Sequence, residues 1–198
     1  MPRLVISDLG EEALQHIESS FTEYRKTAEL TPCTPGRILR TKTHLGTFDT
    51  EIARMQYCLL RLISITEYFF DLATFSALNS KLDRADPLIS SLLENAALAA
   101  SKTWDARVNA LRDYHSISTD DLVGYTRFKA LVDVRNSIAH GIGHLTKMQS
   151  TGSGAAARIT AAGFAIVENR VIITDHNVAE CRETCRELVK SLDLQLQN

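Results

Sequence analysis

Along most of the chain apolar residues recur every three or four positions, the spacing of a helix with one buried face. In residues 11–30 the apolar positions are Leu14, Ile17, Phe21, Tyr24 and Ala28, and Thr31-Pro32-Cys33-Thr34-Pro35-Gly36 stops the helix. A second helix is predicted to start near Thr47 or Asp49, either of which can cap it. Its series Ile52, Met55, Leu59, Leu62, Ile63, Thr66, Phe69, Phe70, Ala73 and Leu78 leaves so little polar face that it should be central. Asp86-Pro87 opens a third helix, with Leu88, Leu92, Ala96, Ala99, Trp104, Val108 and Leu111 running on to Tyr114, with or without a bend. Ser118-Thr119-Asp120-Asp121 then caps a fourth helix carrying Leu122, Tyr125, Phe128, Leu131 and Val132, which should end at Gly141 or Gly143.

From residue 146 to 162 the chain is rich in Ser, Thr, Gly and Ala with little periodicity, the composition of a mobile loop around Thr151-Gly152-Ser153-Gly154. Phe164-Ala165-Ile166-Val167 and Val171-Ile172-Ile173-Thr174 are β-branched runs either side of Glu168-Asn169-Arg170, which predicts a short hairpin with Asn169 in its turn. A last helix over residues 177–194 would bury Val178, Cys181, Cys185, Leu188 and Leu192. The expected fold is all-α: an antiparallel helical bundle of about five helices with a small β-hairpin before the C-terminal helix. It would form one domain over 1–198, comprising an N-terminal helix and basic connector (1–46), core helices (47–145), a flexible loop (146–162), and the hairpin and last helix (163–198).

Composition narrows the setting. A chain of 198 residues with 44% hydrophobic and 23% charged residues, 9 Gly and 4 Pro has the makeup of a folded domain and excludes global disorder. A formal charge of -2 gives no overall attraction to polyanions, so a nucleic-acid site would have to be a local patch. No stretch approaches the ~18 apolar residues of a bilayer span, and Asp8, Glu11 and Glu12 leave no signal-peptide core, so no membrane partner and a cytoplasmic location are expected. Cys33, Cys58, Cys181 and Cys185 lack the paired spacing of a zinc site and read as reduced packing thiols.

The most informative stretch is Val134-Arg135-Asn136-Ser137-Ile138-Ala139-His140-Gly141. A permanent cation, an amide and a group that titrates near neutrality stand within six residues at a helix end. Asn136 and His140 are four apart and share a helical face, where the amide can orient the imidazole. Arg135 lies about 140° from His140 around an ideal axis, so only its side-chain length can bring it to the same place. On the residues alone, the two basic groups read first as a complement to the negative end of the helix dipole, bonded to its last carbonyls.

Arg-Asn-x-x-x-His after an amphipathic helix resembles the signature of HEPN domains (higher eukaryotes and prokaryotes nucleotide-binding). The long helix with Glu67 in Arg61-Leu62-Ile63-Ser64-Ile65-Thr66-Glu67-Tyr68-Phe69-Phe70 is similar to the family's second helix with its embedded acid. The motif followed by a loop, a hairpin and a closing helix is most similar to the RiboL-PSP branch, over residues 47–193. The resemblance implies a helical homodimer whose two motifs face each other across a cleft. In active members it implies a metal-independent endoribonuclease of toxin or defence type that needs no cofactor and leaves a 2',3'-cyclic phosphate. His140 would be general acid or base, Arg135 would stabilise charge on the phosphate, and Asn136 would fix the His140 tautomer or hold the phosphate. An antitoxin or other regulatory protein is the implied partner besides RNA. The toxins paired with nucleotidyltransferase antitoxins carry Tyr two residues after the His, where this chain has Ile142. A non-catalytic dimer that binds RNA, a nucleotide or a partner protein is the alternative.

Glu67 needs a partner inside its apolar helix: Arg135 if it supports the motif, or Arg61, Tyr68 or backbone if its role is structural. His144 is a second candidate proton-transfer group or phosphate contact. Its spacing from His140 also matches a metal pair, but Gly141 and Gly143 intervene with no acid between, so no metal site is expected. Residues 102–147 hold seven Lys or Arg against five Asp or Glu, and three of the six histidines, including His115. Arg127 and Lys129 in that window, and Arg40 and Lys42 in the connector with Arg37 and His44, are candidate RNA contacts. Asp133 should point to solvent on another face. Trp104 and Tyr125 are candidates for base stacking but by helical spacing belong to the core or a dimer contact.

Overall fold

The computed structural model describes residues 5–30, 40–43, 46–80, 82, 87–152 and 154–197. The predicted stop at residues 31–36, with Cys33, and also Arg37, His44, Asp86 and Ser153 lie outside the described residues. The chain is mostly helical: α1 (Asp8–Leu30), α2 (Thr50–Ser80), α3 (Pro87–Ala100), α4 (Trp104–His115), α5 (Tyr125–Gly141), α6 (Lys147–Ser150), α7 (Ala155–Ala161) and α8 (Asp175–Leu196). Two antiparallel hairpins accompany them, β1 (Arg40–Thr43) with β2 (Gly46–Asp49), and β3 (Ala165–Val167) with β4 (Arg170–Ile172).

The 31-residue α2 packs chiefly against α8 and α1, as its near-continuous apolar surface requires. Asp49 Oδ1 accepts the N–H groups of Glu51 and Ile52, so the predicted cap is in place. α1 and α8 run in opposite senses and are tied at both ends. Ser7 N–H donates to Asp193 Oδ2 at 2.8 Å near the start of α1, and the Tyr24 hydroxyl donates to Asp175 near its other end. The predicted inner face of α8, Val178, Cys181, Cys185, Leu188 and Leu192, is buried throughout. One cluster of buried residues takes contributions from α1, α2, α4, α5, α7, α8 and the second hairpin. At its centre Trp104 packs against Phe70, Phe128 and Tyr125, with ring centroids 5.2, 5.1 and 6.4 Å apart, so Trp104 and Tyr125 are core residues.

Three parts differ from the pattern-based reading. The third helix is two, because Thr103 takes extended backbone and caps α4 through the Ala106 N–H; in α3 only Leu93 is buried, while Leu88, Leu92 and Leu98 are exposed. The acidic cap at Ser118 closes a short 3-10 turn (Thr119–Asp121), and α5 begins after Gly124. Within the basic connector, for which no strand is predicted, Arg40–Thr43 pairs antiparallel with Gly46–Asp49.

Residues 146–162 are also not a structureless loop. Thr146 and Gln149 form a reciprocal capping box that starts α6, the buried Gln149 amide donates to the Asp133 carbonyl at 2.7 Å, and Ala155 and Ile159 are buried. Small residues there allow close packing that period counting cannot register. Beyond it Glu168 and Asn169 both take positive φ, 48° and 64°, the requirement of a two-residue hairpin turn.

Two measurements check this architecture. Ile159→Ala should cost about 2–5 kcal/mol in urea denaturation, whereas a residue in an exposed loop would change stability by no more than about 0.5 kcal/mol. Burial pushes the Cys58 thiol up to about 12 and raises that of Cys181. A raised value keeps those two thiols protonated, and burial shields all three from reagent, so native alkylation at pH 8 followed by mass spectrometry should leave Cys58, Cys181 and Cys185 unmodified until the chain is unfolded.

Candidate functional site

Glu67 and Asp71 stand one turn apart on α2, the only carboxylates of its central stretch, and each meets an arginine from another helix. Arg135 of α5 donates from Nη2 to Glu67 Oε2 at 3.1 Å. Arg107 of α4 grips Asp71 with two bonds, Nε to Oδ1 at 2.7 Å and Nη2 to Oδ2 at 2.8 Å, and its guanidinium lies 5.6 Å from the Trp104 ring centroid. The bonds to Asp71 are the largest influence raising the Arg107 pKa; burial opposes them, and the charges of Asp71 and Glu67 add to the rise. The two carboxylates and two guanidinium groups therefore form one electrostatic unit. Of the other partners open to Glu67, Arg61 bonds Ser20 Oγ at 2.9 Å and Tyr68 is exposed.

Arg135 also donates from Nη1 to Asn136 Oδ1 at 2.9 Å. The arginine curls back over its neighbour with one nitrogen while its other nitrogen reaches α2. It differs from the expected bond between Asn136 and His140, since the amide oxygen is engaged by the guanidinium and no hydrogen bond links the two among the described residues. His140 lies exposed in the last turn of α5, its imidazole open to solvent.

Beyond it Ile142 takes the left-handed conformation at φ 52° and Gly143 follows at φ 90°, with both N–H groups returning to the α5 carbonyls of Ile138 and Ser137. Glycine suits position 143 because φ 90° is a backbone conformation that L side chains rarely adopt, and the Gln56 amide of α2 lies close by, 2.9 Å from where a Cβ would stand. With Gln56 beside Gly143 and Glu67 bonded to Arg135, α2 and α5 run in opposite senses, and α2 lines the motif along its length.

The remaining candidates are distributed elsewhere. His144 is exposed and pairs through its backbone with Arg170 of β4. Arg127 is held by Glu180 of α8 at 2.6 Å, and Lys129 makes no ion pair among the described residues. They lie about 12 and 9 Å along α5 from Arg135 at 1.5 Å per residue, so neither belongs to the motif cluster. Arg40 and Lys42 fall in β1, but their side chains lie outside the described residues. Asp133 is not solvated: α7 folds over that face of α5, Arg158 Nε bonds Asp133 Oδ2 at 2.7 Å, and the carboxylate side chain is 15% exposed. Among the described residues no group of three or more His, Cys, Asp or Glu is placed to hold a metal ion.

Sequence reasoning missed Asp71, Arg107, Gln56 and Arg170. Asp71 had a signal, an acid one turn from Glu67 in an apolar helix, but the arginines' destinations depend on how separate helices meet. A cavity of about 690 Å³ between α1 and α2 is lined by Tyr24, Arg54, Tyr57 and Arg61 and by none of the motif residues. The motif itself is a half-open surface at the seam of α2, α5 and the second hairpin. No helix among the described residues is long and apolar enough to cross a membrane.

A double-mutant cycle tests the seam. Glu67→Gln and Arg135→Ala should be non-additive in denaturant unfolding by about 0.5–3 kcal/mol, the range for side chains in contact, and additivity within about 0.3 kcal/mol would show that the pair is not coupled.

Comparison of the chain with family models, with curated proteins and with solved structures finds no match.

Proposed function

We propose that the chain is a HEPN-type endoribonuclease of toxin or defence kind, acting in the cytoplasm as a homodimer whose paired motifs form one cleft. The observation that carries this reading is the Arg135 guanidinium, bonded on one side to the buried Glu67 and on the other to Asn136, in the helix that ends with an exposed His140. A guanidinium fixed by a buried acid is oriented without being neutralised beyond use: its side chain remains 34% exposed. The exposed Ile142 and Met148, just past the motif, supply apolar surface for a second subunit beside the cleft. Within the proposed fold, the helices form an antiparallel bundle, and α1, which the resemblance leaves outside the domain, packs into the same core.

The chemistry needs no group beyond the side chains. The ribose 2'-oxygen attacks the adjacent phosphorus and gives its proton to one imidazole. The bond from phosphorus to the 5'-oxygen breaks, and the departing oxygen takes a proton from the second, protonated imidazole across the dimer. The products are a 2',3'-cyclic phosphate and a 5'-hydroxyl. Arg135 meets the charge that builds on the non-bridging oxygens, where a planar, permanent cation is most useful. Regulation by modification of a tyrosine two residues after the histidine has no basis here, because that position is Ile142.

One observation favours a second reading, a non-cleaving dimer that binds RNA, a nucleotide or a partner such as an antitoxin. The Asn136 amide oxygen accepts from Arg135 and no hydrogen bond joins Asn136 to His140 among the described residues, so the imidazole lacks that orienting partner.

Purified protein should cleave single-stranded RNA in the presence of chelator, and His140→Ala should lower the rate at least about 10²-fold, with light scattering giving twice the 22.0 kDa chain mass for both proteins. Equal, undetectable cleavage by both would leave the binding reading, and a monomer at micromolar concentration would remove the composite cleft.

A further inference from the structure

Arg170 opens β4 and occupies the flank of the motif. Its backbone pairs with His144, and the neighbouring Val171 N–H donates to the Gly143 carbonyl at 2.9 Å, which fastens the hairpin to the turn that ends α5. Arg170 Nε lies 3.7 Å from the point a Gly143 Cβ would occupy, and Gln56 Nε2 lies 2.9 Å from the same point. Gly143 N–H in turn bonds Ser137 O, so the residue beside which Arg170 Nε lies belongs to the turn that closes α5 just after His140.

On the neighbouring elements Arg107, Arg127, Arg135 and Arg158 each have a carboxylate partner. Arg170 has none within ion-pair distance among the described residues; Glu168, two residues earlier, is exposed in the hairpin turn and makes no such pair. The Gln56 amide shares the space beside Gly143 with it and the exposed His144 is its backbone partner, and neither carries a negative charge.

We infer that Arg170 is a second anion contact of the site, binding a phosphodiester that flanks the one addressed by Arg135, with His144 and Gln56 as the polar groups beside it. The proposal rests on the RNA reading above. Arg135 stands within the last two turns of α5 and Arg170 beside the turn that follows that helix, so the hairpin would extend the site beyond the helix end. Arg170 contributes binding along the backbone and no base selection, because a guanidinium on a phosphate reads charge. Its competing role is structural: a cation that complements the negative end of α5.

The two roles separate in a binding experiment on the full-length His140→Ala protein, which holds RNA without turning it over, using a fluorescein-labelled 12-nucleotide single strand followed by anisotropy from 50 to 200 mM salt. Adding Arg170→Ala should weaken binding about tenfold and reduce the slope of log affinity against log salt by about 0.7, the loss of one phosphate contact on a single strand. Arg170→Lys should restore the slope, with thermal unfolding unchanged in both. An unchanged slope in Arg170→Ala, or a slope that follows a drop in unfolding temperature and is not restored by Lys, overturns the inference while leaving RNA binding intact. If the His140→Ala parent binds no RNA at 50 mM salt, the RNA reading fails and the Arg170 contact fails with it.

Discussion

A carboxylate set into the most apolar helix of the chain has to be neutralised inside the fold, since an unpaired buried charge costs several kcal/mol. Glu67 meets that requirement through Arg135, and Asp71, one turn on, through Arg107. These pairs join α2 to α5 and α4 by directional bonds, where packing of leucine and phenylalanine alone would leave the helices free to slide by a residue. A buried ion pair contributes less to net stability than to which neighbour sits where, and here it fixes the height of Arg135 along the central helix.

The apolar core works alongside this constraint. α1, α2 and α8 bury their faces against each other, and the two ends of α1 are secured to Asp193 and Asp175 of α8. Around Trp104 the aromatic rings of Phe70, Phe128 and Tyr125 fill the space between α2, α4 and α5. Polar pairing then sits at the edge of a filled core, where the low dielectric strengthens it while Arg135 keeps part of its surface in water.

Elements with long, regular periodicity were legible in the sequence: α1, α2, α5 and α8 fall close to their predicted positions, as does the hairpin signalled by two β-branched runs around Asn169. Two kinds of feature were not. Short helices built from Ala, Thr and Gly, as in α6 and α7, carry too few large apolar residues for a period to show, although the Thr146–Gln149 capping box was present to be read. The break at Thr103 was masked because apolar residues continue on both sides of it, so the face of Leu88 and Leu92 was assigned inward when it is exposed. In the site, Arg135, Asn136, His140 and Glu67 could be named from spacing and resemblance. The Asn136 partner could not, since a choice between His140 and Arg135 depends on a side-chain curl, and Arg170 could not, since it enters from an element 35 residues away in sequence.

The short connection between the second hairpin and α8 has a further consequence. Only Ile173, which is buried, and Thr174, whose hydroxyl caps α8, separate β4 from that helix. A leash of so few residues spans at most about 10 Å when fully drawn out, and here it is pinned at both of its positions. The hairpin therefore cannot swing as a flap over the motif without uncapping a core helix. Whatever approaches His140 along the hairpin's flank meets a fixed wall, and accommodation must come from the incoming molecule and from the side chains' own reach.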